Sequence, residues 1–160
     1  MTKIVVLMIA LGVAGASYGQ TTPGDQAQKN GVRACQQTVE NIAKFVVKEN
    51  PHGSIATWNK TNPDSRMFGA QISVKYTDGN SVAVLSAAPT RAGTCDGYYT
   101  TIFTDEKSCS VMRETTFRDW KFYGESAGLI VLENESGSLS KILLPSGTGC
   151  VAITSEMVYS

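Results

Sequence analysis

Between Phe68 and Tyr76 every second residue is apolar: Phe68, Ala70, Ile72, Val74 and Tyr76 alternate with Gly69, Gln71, Ser73 and Lys75. That is the period of a strand with one buried face. Asp78-Gly79 follows, and Ser81–Ala87 returns as a second, more uniformly apolar strand. An Asp-Gly pair between two such runs reads as a hairpin turn. The alternation of short strand and short turn continues through Tyr98–Phe103, Ser108–Glu114, Phe117–Tyr123, Leu129–Asn134, Leu139–Leu144 and Cys150–Ser155. Connections this short join only antiparallel neighbours. The chain is therefore expected to form a meander of about seven to eight strands. The polar stretches Trp58–Arg66 and Ala88–Asp96 are its longest interruptions.

Ahead of the strands stands one helix signal. Val32, Cys35, Val39, Ile42 and Val46 recur at spacings of three and four and share one face. Glu40 and Lys44 sit at i, i+4 on the polar side. Asn50-Pro51-His52-Gly53 stops the helix, since proline disfavours a helical residue before it. One helix and a curved antiparallel sheet bury each other's apolar faces most economically as an α+β domain. A partly open barrel plugged by the helix is the close variant.

The N-terminus places that domain in a compartment. Met1-Thr2-Lys3 is a short positive start, Ile4–Ala14 an apolar run, and Gly15–Gly19 a stretch dominated by small residues. This is the layout of a secretory leader, too short to span a bilayer, with cleavage expected after Gly19. Residues 20–28 lack apolar anchors and read as a flexible mature N-terminus, leaving 29–160 as a single domain. Cys35, Cys95, Cys109 and Cys150 are an even set in an exported chain, which implies two disulfides. Three pairings exist. The favoured one is Cys95–Cys109, bracketing an apparent hairpin, with Cys35–Cys150 tying the domain's start to its end.

Charge narrows the partners. Without Lys3 the mature chain has 13 basic against 14 acidic residues, a net charge of −1. Phosphate binding needs a basic excess, so nucleic acid is not expected as a partner. No membrane anchor is expected in the mature chain either. Catalytic motifs are equally sparse. His52 is the only histidine and lies in a Pro-His-Gly turn, and no Gly-x-Ser-x-Gly elbow is present. The carboxylates are scattered among cations, and no cysteine pair has metal-ligand spacing. No metal, cofactor or catalytic set is expected.

Two function classes remain. The first is an exported binding protein of the periplasm or exterior, such as an inhibitor, an immunity-type protein or an accessory envelope protein. It would present loops from a disulfide-locked sheet to another protein. Trp58, Arg66, Arg91 and Tyr99 are its expected contact residues, being hot-spot residue types at loops or strand ends. The second class is a small-ligand carrier or hydrolase using a pocket between sheet and helix.

Overall fold

The computed structural model describes residues 21–159, so the leader read at residues 1–19 lies outside the described residues. The elements are α1 (Thr22–Lys29), α2 (Gln36–Val47), β1 (His52–Thr57), β2 (Phe68–Tyr76), β3 (Gly79–Pro89), β4 (Cys95–Asp105), α3 (Cys109–Glu114), β5 (Lys121–Ser126), β6 (Leu129–Glu133), β7 (Leu139–Ser146) and β8 (Gly149–Val158). The strands form one eight-stranded antiparallel sheet in the order β1-β2-β3-β4-β8-β7-β6-β5. It is not closed; β1 and β5 are its edges. The chain builds two four-stranded meanders that meet along β4 and β8, with α3 bridging from one to the other.

Register shows which side chains share a face. Leu85, Tyr99, Glu156 and Leu139 form one cross-strand row, and Ala83, Thr101, Thr154, Lys141 and Leu132 the next. On this face α1 and α2 close a first core with β2, β3 and β4, centred on Val39, Ile42, Phe68, Ile72 and Leu85. A second core joins Met112 and Phe117 to Leu132, Leu143 and Ala152. Val32, Cys35, Val39, Ile42 and Val46 are all buried as expected, but the helix begins only at Gln36: Cys35 is its N-cap and Val32 lies in the connection from α1. On the face away from the helices, Val82, Ile102, Ile153, Ile142 and Val131 line up across five strands.

Three sequence expectations are corrected. Residues 22–29 are helix α1 and not a loose tail. Its anchors are polar, which is why apolar patterning does not reveal them. The Thr21 side chain caps the helix by accepting from the Gly24 N–H at 3.2 Å, and donates to Glu40 Oε2 at 2.7 Å. Glu40 is itself buried and also accepts the Thr21 N–H at 3.3 Å. His52 Nε2 accepts the Thr22 N–H at 3.2 Å while Nδ1 lies 2.8 Å from the Asn50 carbonyl, so the ring is committed to pinning α1 against β1.

Ser108–Glu114 is the second correction: it is helix α3 capped by Ser108, with Cys109 and Met112 buried three apart and Val111 turned out to solvent. The strand read at Phe117–Tyr123 accordingly begins only at Lys121. The third is the disulfide pairing, which is Cys35–Cys95 and Cys109–Cys150. Cys95 opens β4 and Cys109 follows its far end. The eleven extended residues of β4 put its two ends about 33 Å apart, and the three residues between Asp105 and Cys109 cannot span back to within the about 7 Å between Cα atoms that a disulfide needs. Cys35–Cys95 joins the N-cap of α2 to the first residue of β4.

Helix α2 lies close over β4 at Gly97, where an added Cβ would stand 2.5 Å from Ile42 Cδ1 and 3.0 Å from Thr38 Cγ2. Gly97→Ala must therefore push the helix or its side chains outward. We expect a loss of about 1–3 kcal/mol in unfolding free energy, measured by urea denaturation.

Candidate functional site

Between the two cores the sheet face is uncovered, because α2 ends at Val47 and α3 packs farther along, on β7 and β8. The gap is an open cleft of about 1070 Å³. Phe45 and Val46 of α2 form one wall, and Trp120, just before β5, stands on the other. Thr101 and Phe103 of β4, with Thr154 of β8, make the floor, and Tyr99 and Leu139 its inner end. The mouth is rimmed by the β2–β3 turn at 78–81, the end of β4 and the β7–β8 turn at 146–149. Alternation along the strands decides these positions: 99, 101 and 103 point one way, as do 152, 154 and 156.

Two polar arrangements sit beside the floor. Tyr99 packs against Phe45 with ring centroids 5.5 Å apart, and its hydroxyl donates to Glu156 Oε2. Burial first, then that carboxylate, holds the Tyr99 phenol above its ordinary pKa. Lys141 is 5 % exposed. Its Nζ lies 4.3 Å from the centroids of both Phe117 and Trp120 and donates to Thr154 Oγ1. No carboxylate stands within ion-pair distance of it among the described residues. Burial lowers its pKa from 10.5 to about 8.

Trp58, Arg66 and Arg91 lie on two loops at one end of the sheet, and Tyr99 lies within it on the face toward α2. Trp58 is half-buried and packs on the first core. Arg66 and Arg91 are exposed, on the β1–β2 loop and the β3–β4 turn. Both loops lie at the end of the sheet opposite the cleft mouth. Tyr99 is 2 % exposed and unavailable to a protein surface; it lines the inner end of the cleft floor, while its neighbour Tyr98 faces out at 37 %. Among the described residues no group of three or more His, Cys, Asp or Glu is placed to hold a metal, and no helix is long and apolar enough to cross a membrane.

Lys141 is the residue that sequence reasoning passed over, although a signal was there. In Leu139-Ser140-Lys141-Ile142-Leu143 the lysine falls on the same strand face as Leu139 and Leu143, so a cation on a buried face was legible. Phe45 and Thr154 carried no comparable mark. No protein-family model, curated protein or solved structure matches this chain.

Proposed function

We propose that the protein binds a small amphipathic ligand in the cleft between α2 and Trp120. The observation that carries this reading is the cleft itself: concave, walled by Phe45 and Trp120, with the rings of Tyr99 and Phe103 and two hydroxyls along its floor. Apolar walls with a few convergent polar groups are the usual make-up of small-molecule sites. The two disulfides suit an oxidising compartment. With the leader, they support a carrier working in the periplasm or outside the cell.

The neutral dye N-phenyl-1-naphthylamine tests the reading. Saturable fluorescence enhancement is expected, with energy transfer from Trp120 that survives Trp58→Phe. Thr101→Phe, which fills the floor, should weaken binding about tenfold or more, equivalent to about 1.4 kcal/mol. No saturable binding, or equal affinity in Thr101→Phe, would overturn the assignment.

A protein partner is the second reading. Its support is the row Val82–Ile102–Ile153–Ile142–Val131 on the face away from the helices, where Val82 is 45 % exposed. Ile153→Lys separates the two readings: it should abolish such an association and leave dye binding unchanged.

A further inference from the structure

Behind the cleft floor, reached through Thr154, lies a charge with no opposite charge paired to it. Lys141 is nineteen-twentieths buried, and of its three N–H donors only one meets a hydrogen-bond acceptor, the Thr154 hydroxyl. The rings of Phe117 and Trp120 attract the cation at 4.3 Å each but accept no conventional hydrogen bond. The carboxylate nearest in register, Glu156, is two residues along β8 on the same face and takes the Tyr99 hydroxyl instead. Arg118 and Asp119, between the two rings in sequence, are solvent-exposed and lie 3.9 Å from each other.

Donor and acceptor counting then gives the floor a direction. An ammonium has no lone pair, so Thr154 Oγ1 must accept from Lys141, and its own proton is left to donate. Thr154 lines the cleft, with Thr101 beside it in register. A hydroxyl polarised by a buried cation is a strengthened donor, and an anion placed on it also supplies the missing opposite charge. Of the charged groups at the rim, Lys48, Asp78 and Glu106 are exposed, where salt screens charges over about 8 Å, and the half-buried Asp105 accepts the Lys107 N–H at 2.9 Å through its Oδ1. The floor, and not the rim, sets the preference.

We propose that the ligand of this cleft is an amphipathic acid. Its carboxylate, sulfonate or phosphate monoester is held by the Thr154 hydroxyl with the Lys141 ammonium behind it, and its apolar body lies against Phe45, Phe103 and Trp120. This rests on the cleft being the binding site, and the test separates the two claims.

The probes are N-phenyl-1-naphthylamine and 1-anilinonaphthalene-8-sulfonate, one skeleton without and with an acidic group. At pH 7 the sulfonate should bind about tenfold tighter or more. Lys141→Met should erase that preference while keeping the neutral dye. Thr154→Val should reduce it and Thr154→Ser retain it, each variant first matched to wild type by near-ultraviolet circular dichroism. Equal wild-type affinities would overturn the acid assignment and leave the cleft standing. So would a preference that survives both Lys141→Met and Thr154→Val. Failure of both dyes to bind would overturn the cleft itself.

Discussion

Replacing Cys35 and Cys95 together by alanine is expected to lower the unfolding free energy by about 4 kcal/mol. The bridge closes a loop with a sequence separation of 60, and on the chain-entropy account a loop of that length restricts the unfolded chain by about that amount. Cys109–Cys150, with a separation of 41, should contribute about 4 kcal/mol as well. Domains of this size are stable by about 5–15 kcal/mol, so reducing both bridges should remove most of the stability. Each bridge also does a local task. Cys35, at the N-cap of α2, is tied to the start of β4, and Cys109, the first residue of α3, to the start of β8. Denaturant titration of each double variant measures the loss. A loss below about 1 kcal/mol would mean that the unfolded chain keeps structure that the bridge no longer needs to restrict. Peptide mapping without reductant gives an independent check on the pairing. Cys35 must be recovered with Cys95, whereas the pairing favoured by sequence would yield Cys95 with Cys109.

Lys141→Met should make the protein more stable at pH 7, by about 1–3 kcal/mol. An unpaired buried cation is costly to desolvate, and an apolar residue of similar shape removes that cost. Methionine also keeps contact with the Phe117 and Trp120 rings through its sulfur. The sign of the accompanying pH dependence follows from linkage. Below pH 8 the amine is charged in both folded and unfolded chains, and the penalty is fully present. Between about 8, the folded pKa, and 10.5, the ordinary value, the unfolded chain holds the proton that the folded one has released. Wild-type stability therefore rises with pH across that window, by at most about 3 kcal/mol. Tyr99 and Tyr76 act oppositely at higher pH. Their phenols are held above the ordinary 10.0 in the folded state, so stability turns down once the unfolded chain loses those protons. The described residues contain no free thiol to complicate the alkaline range. Urea titrations at pH 7, 8, 9 and 10 should show a rise for wild type that Lys141→Met lacks. A flat wild-type profile would show that the two rings and Thr154 already compensate the charge. A variant both more stable and unable to prefer the acidic dye would mark Lys141 as a binding residue held at a cost in stability.

How much of this was legible before folding depends on how each signal is encoded. The alternation in Phe68–Tyr76 and the apolar spacing from Val32 to Val46 are local periodicities; the strand appears where it was expected, and the helix occupies Gln36–Val47, the later part of its stripe. Helix α1 was hidden because Pro23, Gly24 and Ala27 are small, and what buries them is a hydrogen-bond network reaching Glu40, His52 and Ser54. Helix α3 was misread because six residues are too few to separate a period of two from one of 3.6. That one misreading also misplaced Cys109, and with it the disulfide pairing.

Residue types and their local spacing carried the α+β class, the antiparallel sense of the sheet, the number of bridges and the face on which Cys35 lies. All of these follow from residue type and spacing within a few positions. Long-range packing joins the two meanders along β4 and β8 and leaves α2 short of α3. It also placed Thr101, Thr154 and Lys141, from three strands, in one row beneath Trp120. The reason is physical. Strand pairing across residues 101, 154 and 141 is set by the summed burial of two whole cores, and no local stretch of sequence contains that sum.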